Sequence, residues 1–322
     1  MPHSSPSVLV IRLDAIGDAL ALTPLLAALR ERGIPTDVVL RGVNAQVFSS
    51  RAARAVFVAP FALRSSTRAN RDAILEFGSL LSRNRYSHVL VATEDPGGYR
   101  LAHAVGAPER IGFTNGWGKP LKSLWVRSLL TRTIVRSAGL DARAPHECEV
   151  LFELGASLLA DERPTRDLQR LRPLVLEADV ARGERIAFQV TDKWERLGIA
   201  FDDVVRAIAN ARERGTVRAI ASETEARYAQ RFAKSAGINV ERFASLEPWK
   251  EAIASAAALV APDSGALHVA GMVGTPSVAV FPVIRDAALQ TARWSPWAAP
   301  ARLLLATPQW PEGISEALAA LR

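Results

Sequence analysis

The 322-residue sequence contains a single cysteine, Cys148. One cysteine allows neither a disulfide within the chain nor a cysteine-based metal cluster, and this usage is typical of a reducing cytoplasm. No apolar run reaches the roughly 18 residues that a membrane-spanning helix needs. The first residues, MPHSSPS, lack the basic region of a signal peptide, so we expect none. These absences predict a cytoplasmic protein.

Lysine is also scarce, so most of the positive charge comes from arginine. Five of the 40 basic residues are lysines, so 40 minus 5 leaves 35 arginines, against 33 acidic residues and a net charge of +7. The arginines form no block of the kind that binds nucleic acid, and no interleaving of basic and aromatic residues accompanies them. The excess favours a phosphorylated substrate or an anionic membrane face as partner. The alternative is that most of the arginines simply lie on solvated faces.

Strand-like and helix-like segments alternate along the chain. VLVIRL, from Val8, has strand length, and ALALTPLLAALRERG, ending at Gly33, has helical spacing. TDVVL, AVFVAP and SHVLVAT are further strand candidates, and the alternation restarts with RIAFQV after a proline-rich and charged stretch at about 162–183. This order predicts an α/β fold with two doubly wound, Rossmann-like parallel-sheet domains and a cleft between them.

The turn after the first strand does not match a dinucleotide-binding fingerprint. RLDAIGDAL contains only Gly17 where the fingerprint needs three glycines, and the second strand ends without an acidic residue for a ribose. An oxidoreductase is therefore not favoured. The same turn carries Asp18, which would either face a ligand at the sheet edge or complement the helix dipole.

Polar residues follow three strands of the second half. Thr191 and Lys193 follow the first strand, Glu223 follows the second, and APDSGALHVAGMVG opens a helix near Asp263 or Ser264. Such a helix start offers free N–H groups and a positive dipole end to an anion. The alternative is an ordinary capped helix of a parallel sheet. The convergence of three strand ends nevertheless favours a ligand site, because open α/β sheets bind ligands at that edge.

These motifs together resemble a known family. VLVIRLDAIGDALALTPLLAALR, RIGF, TDKW and DSGALHVAGMVGTPSVAVF occur in the order found in the ADP-heptose:lipopolysaccharide heptosyltransferases, glycosyltransferase family 9. The resemblance implies a GT-B fold with an acceptor-binding domain at 1–170, a nucleotide-sugar-binding domain at 171–305, and a helix at 306–322 that packs back on the first domain. It implies inverting transfer of a heptose or related sugar, with ADP-heptose as the expected donor and with no metal or cofactor. The implied acceptor is a lipopolysaccharide-type or other cell-envelope glycan.

The resemblance also implies roles for individual residues. Asp18 would be the general base. The donor would be held by the residues Thr191, Lys193, Glu223, Asp263, Ser264, Gly265 and His268. Arg12 and His146 would lie on the acceptor side, and no metal ligand is implied. A basic surface would allow peripheral contact with the inner face of an anionic membrane.

The chain departs from the family after its last motif. FPVIRDA stands where the family usually has Gly-Pro-Thr-Asp-Pro, and Ala15 occupies a position that often carries a hydroxyl. Two alternatives therefore stay open beside the transferase. One is a nucleotide-sugar-binding protein on a degenerate scaffold, and the other is a GT-B sugar enzyme such as an epimerase.

Overall fold

The computed structural model describes residues 6–136 and 145–321, which form two compact units. Among these residues, the first unit holds 6–136 and 147–165, and the second holds 145–146 and 166–321. Each unit has one six-stranded sheet.

The sheet of the first unit is parallel throughout, in the order β3-β2-β1-β4-β5-β6. Its strands are β1 (Val8–Ile11), β2 (Thr36–Leu40), β3 (Ala55–Val58), β4 (His88–Val91), β5 (Glu109–Thr114) and β6 (Arg132–Val135). The central strand β1 is buried at every position, as expected for a parallel strand with helices on both faces.

Seven helices accompany this sheet in the described part of the unit. They are α1 (Ile16–Leu20), α2 (Thr23–Glu31), α3 (Arg68–Ser82), α4 (Pro96–Val105), α5 (Pro120–Leu129), α6 (Glu147–Phe152) and α7 (Ala156–Leu159). The sequence pattern predicted one helix where the structure has α1 and α2. Pro24 lies in the first turn of α2, where its missing N–H does no harm, and the chain breaks just before it.

The second unit repeats the same sheet topology. Its order is β12-β11-β10-β7-β8-β9, which is the order of the first sheet when the strands are counted from β7, and every pairing is parallel. The strands are β7 (Ile186–Gln189), β8 (Val217–Ser222), β9 (Val240–Phe243), β10 (Ala258–Pro262), β11 (Ser277–Phe281) and β12 (Ala301–Leu305). The predicted α/β class with two doubly wound parallel sheets is confirmed.

The described part of the second unit has eight α-helices. They are α8 (Leu168–Val175), α9 (Lys193–Arg196), α10 (Phe201–Arg212), α11 (Ala226–Ala236), α12 (Leu246–Ala254), α13 (Gly265–Val273), α14 (Ala287–Trp294) and α15 (Gly313–Ala319). The sequence does not predict α8, α9 and α14, and α8 lies inside the stretch predicted as a connection. α15 contributes Ile314 and Leu318 to the core of the second unit, whereas the sequence reading placed this segment against the first domain.

The strands that the sequence does not predict lie at the edges of the two sheets. β6, β9 and β12 are edge strands, and none of the three is fully buried. An edge strand is paired on one side only and tolerates exposed positions, so its sequence signal is weaker than that of a central strand, although the apolar AVFV of the edge strand β3 was predicted. Across residues 6–136 and 145–321, no helix combines the length and apolarity that crossing a membrane requires.

Candidate active site

The polar cluster of the first unit begins where β1 ends. Arg12 follows the strand directly, and only 3% of its side chain is exposed. Its Nη2 donates to Asp18 Oδ1 at 2.9 Å and to Glu147 Oε1 at 3.5 Å. Its Nε donates to the Asp18 carbonyl at 3.1 Å, and its Nη1 donates to the Ala92 carbonyl. The guanidinium therefore ties three elements together at the carboxyl edge of the sheet.

Asp18 occupies the first turn of the short helix α1. Its Oδ2 accepts the Ala15 N–H at 3.0 Å while Oδ1 accepts from Arg12, so both oxygens have one fixed donor. Each carboxylate oxygen has a second lone pair, and 26% of the side chain is exposed. The carboxylate is thus held in one orientation and remains within reach of a ligand hydroxyl.

Glu147 extends the cluster away from Arg12. Its carboxylate is completely buried and accepts from Arg136 Nη2 at 2.6 Å. Arg136 also lies 3.7 Å from Glu94 Oε1, and Lys122 donates to Glu94 Oε2 at 3.0 Å. Burial alone would raise the pKa of Glu94, but the Lys122 hydrogen bond and the charges of Lys122 and Arg136 outweigh it, so the pKa is lowered.

These residues form a chain of alternating charge, which we call the charge network. Asp14 completes it, with Oδ2 at 3.5 Å from Arg12 Nε. The members are Asp14, Asp18, Arg12, Glu147, Arg136, Glu94 and Lys122. Each member has an oppositely charged neighbour, which is the condition under which buried charges are tolerated.

The two residues predicted for the acceptor side differ in their surroundings. Arg12 lies beside Asp18, but four of its five N–H donors bind groups of the same unit, so direct contact with an acceptor stays a prediction. His146 belongs to the second unit, where its Nε2 lies 2.8 Å from the Ser295 carbonyl and its ring lies 4.7 Å from that of Trp297. The structure does not place His146 in the charge network.

In the second unit, the loop after β7 is organised around a carboxylate. Thr191 Oγ1 donates to Glu225 Oε1 at 2.5 Å, and the Asp192 N–H donates to the same oxygen at 3.1 Å. Burial raises the pKa of Glu225 and the nearby Asp192 adds to this, although the two hydrogen bonds oppose it. Within the described part of the chain, the Lys193 ammonium pairs with no carboxylate.

Glu223, predicted for the donor, lies two residues from this carboxylate. Its side chain is 49% exposed and lies 3.5 Å from Arg242. Glu225 follows it in the same short turn and is the residue that contacts Thr191. The sequence predicts Glu223 because this residue follows the strand directly, whereas in the structure Glu225 contacts the Thr191 loop.

The start of α13 brings together Asp263, Ser264 and Gly265 as the sequence predicts. Ser264 is the N-cap residue, but its hydroxyl makes no capping bond; Oγ is buried and has no hydrogen-bond partner among the described residues. Asp263 is 7% exposed, and its Oδ2 accepts from Gln290 Nε2 of α14 at 2.9 Å. A buried donor left unpaired at a helix start is costly unless a ligand completes it.

His268 lies one turn inside α13 and is buried. Burial lowers its pKa to about 4; the charge of Asp263 opposes this, while His146 and Lys193 add to it. The edge of its ring meets the ring of Trp294 at 5.6 Å between centroids. At neutral pH the imidazole is therefore uncharged and has one N–H to donate and one nitrogen that accepts.

The residues that the sequence reading missed are mostly partners of the ones it found. They are Glu147, Arg136, Glu94, Glu225, Gln290 and Trp294. Two carried a local signal, since Glu147 adjoins His146 in PHECEV and Glu225 adjoins Glu223 in SETEAR. Over the described ranges, no group of three or more His, Cys, Asp or Glu side chains is arranged to hold a metal ion.

Two Rossmann-like units of identical strand order, with polar residues at the carboxyl edge of each sheet, define the GT-B fold. Residues 200–312, which lie in the second unit, match the family model described as Glycosyltransferase family 9 (heptosyltransferase). The resemblance predicted from the motifs is therefore confirmed. A search of curated protein sequences finds no match.

Solved structures with the same fold include two heptosyltransferases and a family 9 glycosyltransferase. Escherichia coli heptosyltransferase WaaC, solved with ADP, is 19% identical with a TM-score of 0.74, over 98% of this chain and 100% of that one. A family 9 glycosyltransferase from Veillonella parvula is 17% identical (TM-score 0.69; 98% and 90% covered). Escherichia coli ADP-heptose lipopolysaccharide heptosyltransferase II is 17% identical (TM-score 0.67; 98% and 98% covered).

Proposed function

We propose that this protein transfers a sugar, a heptose or a related one, from a nucleotide-diphosphate donor to a cell-envelope glycan acceptor. The observation that carries the proposal is the start of α13, where the buried Ser264 hydroxyl has no partner among the described residues. The N–H groups that open a helix accompany it, of which that of Leu267 already donates to the Ser264 carbonyl. A diphosphate supplies the acceptor oxygens that these donors require.

The neighbouring side chains suit a diphosphate that leaves with negative charge. Lys193 provides an ammonium without a carboxylate partner in the described residues, and His268 provides one neutral N–H. These groups would stabilise the charge that develops on the leaving phosphate, which is the main task of the enzyme on the donor side. In this proposal they do the work that a divalent metal performs in other transferases.

Asp18 is the proposed base in an inverting reaction. It would accept the proton of the acceptor hydroxyl as that oxygen attacks the anomeric carbon, and the nucleotide diphosphate would leave from the opposite face. Arg12 acts as a positioning residue, because its hydrogen bonds fix the direction of the Asp18 carboxylate. Glu147 holds Arg12 in turn.

The nucleotide and sugar are proposed from likeness and from the site. WaaC was solved with ADP and with ADP-2-deoxy-2-fluoro heptose, so ADP-heptose is the first donor to test. The segment after Phe281 differs from the family pattern, and it supplies Gln290 to Asp263 and Trp294 to His268. Since this divergent segment contacts residues of the proposed phosphate site, the donor sugar could differ from heptose. A nucleotide-linked related sugar is therefore the second donor to test.

Donor binding is tested by thermal shift with ADP-, UDP-, GDP- and dTDP-linked sugars. A donor at 100 times its Kd stabilises the protein by about 2.7 kcal/mol, so the correct one gives a clear shift in Tm. Lys193→Ala is expected to weaken binding by about tenfold or more, because it removes a charge-assisted hydrogen bond. Lys234→Ala, an exposed lysine of α11, is the matched control and should bind normally.

Product analysis then separates the proposal from its alternatives. Transfer to a lipopolysaccharide-type acceptor that survives EDTA supports the proposal as stated. Donor binding without product would indicate a degenerate binding protein. A changed sugar formed without any acceptor would indicate an epimerase, and activity lost with EDTA and restored by a divalent ion would contradict the metal-independent mechanism.

A further inference from the structure

The three most exposed large hydrophobic side chains of the described residues lie together in the first unit. They are Trp117, Leu121 and Leu124, with 96%, 83% and 69% of their surface exposed. Leu121 and Leu124 are three residues apart on α5, and Trp117 precedes Leu121 by four in the turn that leads into the helix. Helical spacing puts Leu121 and Leu124 on one face of α5, and Trp117 lies in the turn just before that helix.

The opposite face of α5 already attaches the helix to the unit. Ser123 and Val126 are buried, and Ser123 Oγ donates to the Gly116 carbonyl at 3.0 Å. Trp125, the i+4 neighbour of Leu121, lies at the border of the outer face, and its ring meets Tyr99 edge-on at 6.1 Å. The fold therefore makes no use of the outer face, which we call the α5 face and define as Trp117, Leu121 and Leu124.

The charge around this face is unusually one-sided. Residues 110–136 contain six basic residues and no acidic one, so this segment carries +6 of the net +7 and leaves +1 for the rest of the chain. Arg110, Lys122 and Arg136 have partners within the unit. Lys119, Arg127 and Arg132 form no salt bridge among the described residues.

We infer that the α5 face docks on an anionic lipid bilayer. An indole and two leucines in a basic segment with three bases that form no salt bridge in the described chain are the composition with which helices lie in a membrane interface, the apolar groups entering the acyl boundary and the bases meeting anionic headgroups. Nucleic acid offers no apolar layer to cover two leucines. The inference deepens the proposed function by naming the surface that contacts the membrane. It rests on the proposed function only for the reason why this protein would bind a membrane.

The location of the α5 face fits delivery of a lipid-linked acceptor. β5 leads into this segment and runs parallel to β1, so the segment begins at the sheet edge where Arg12 and Asp18 lie. Lys122 of α5 binds Glu94, a member of the charge network. A bilayer at this face would present headgroup sugars on the side of the unit that carries the proposed base.

The test is binding to lipid vesicles by flotation. The wild-type protein should bind vesicles of phosphatidylglycerol and phosphatidylcholine at least about tenfold more strongly than phosphatidylcholine alone, and added salt should weaken the binding. Trp117→Ser/Leu121→Ser/Leu124→Ser should lose this binding. Val43→Ser/Leu75→Ser/Leu80→Ser, which removes three other exposed apolar side chains of the same unit, should retain it.

A second pair of variants tests the charge. Lys119→Glu/Arg127→Glu/Arg132→Glu should reduce binding by about tenfold or more, whereas Arg71→Glu/Arg83→Glu/Arg212→Glu changes the net charge equally and should reduce it far less. Melting curves check that each variant is folded. Failure of the wild type to bind anionic vesicles, or equal binding by variant and control, would overturn the inference.

The two proposals fail separately. Transfer to a water-soluble acceptor without vesicle binding would refute docking and leave the proposed function intact. Vesicle binding by a protein that forms no product with any donor would support docking and count against the transferase.

Discussion

The two units have the same sheet topology, but the polar residues at their sheet edges differ in whether they have partners within the protein. In the first unit each member of the charge network has an oppositely charged neighbour, although Asp14 Oδ2 accepts no hydrogen bond within the described residues. In the second unit, Ser264 Oγ is buried without a partner and Lys193 has no carboxylate in the described residues. The first arrangement can fix the direction of a base before substrate arrives, and the second leaves donors for an anion.

The comparison separates positioning from binding. Groups that are already paired contribute to stability and geometry, so their loss should damage the fold or the rate. Unpaired groups destabilise the free protein, and a ligand supplies their missing hydrogen-bond partners. Their loss should therefore weaken ligand binding and leave the fold intact. The variants below test this division, beginning with the largest expected effect.

Replacing Asp18 by Ala should reduce sugar transfer by about 1,000-fold, within the range that general bases contribute, and should leave donor binding unchanged. Steady-state rates and donor affinity measured by calorimetry give the two numbers. Asp14→Asn is the matched control, because Asp14 also contacts Arg12 and is 36% exposed. Full turnover by the Asp18 variant, or a greater loss with Asp14→Asn, would refute the assignment of the base.

Glu147→Ala should destabilise the protein by about 3–5 kcal/mol, because it leaves Arg136 and Arg12 buried without one of their counter-charges. Chemical denaturation measures the loss. The control is Glu223→Ala in the second unit, which breaks an exposed ion pair with Arg242 and should cost less than about 1 kcal/mol. Equal losses in the two variants would show that the charge network does not stabilise its unit.

The fold was predictable from the sequence where buried strands appear as continuous apolar runs. β1 and β11 are continuous apolar runs because they are covered on both faces, and both were predicted. The edge strands β6 and β12 carry exposed positions and were not. The break between α1 and α2 had a local signal in Pro24, which the helical periodicity obscured.

The site was predictable at strand ends and not beyond them. Asp18, Asp263, Ser264 and His268 follow strands, and topology alone brings strand ends to one edge. Arg12 and Glu147 are 135 positions apart, and no local pattern connects them. Gln290 likewise reaches Asp263 from a helix whose sequence departs from the family, so only the folded structure reveals the contact.

The buried His268 makes the second unit sensitive to acid. Its pKa is lowered to about 4 from 6.5, so the unfolded chain takes up a proton more readily than the folded one. The stability is fully present above about pH 6.5 and is lost as the pH falls towards 4, by up to about 3 kcal/mol from this group. His268→Asn should flatten this part of the profile of Tm against pH.

The matched control for this profile is His103→Asn, which replaces an exposed histidine of α4 in the first unit. It should leave the pH dependence as in the wild type. If both variants follow the wild-type profile, the acid sensitivity has another origin and His268 is not held neutral by burial.

The smallest effect on stability is expected for the residue that carries the proposed function. Ser264→Ala removes a hydroxyl that has no partner to lose, so the free energy of unfolding should change by less than about 0.5 kcal/mol. ADP affinity should fall by about tenfold, because the phosphate loses one charge-assisted hydrogen bond. Calorimetric titration with ADP and denaturation of the free variant measure the two quantities.

Ser277→Ala provides the control that isolates position from chemistry. Its hydroxyl is also buried without a partner among the described residues, but it begins β11 and so lies at the opposite end of that strand from the carboxyl edge. Both substitutions should leave stability nearly unchanged, and only Ser264→Ala should weaken ADP binding. If the two variants bind ADP equally well, an unpaired hydroxyl at the start of α13 is not a sign of a diphosphate site, and the contrast drawn between the two units loses its functional meaning.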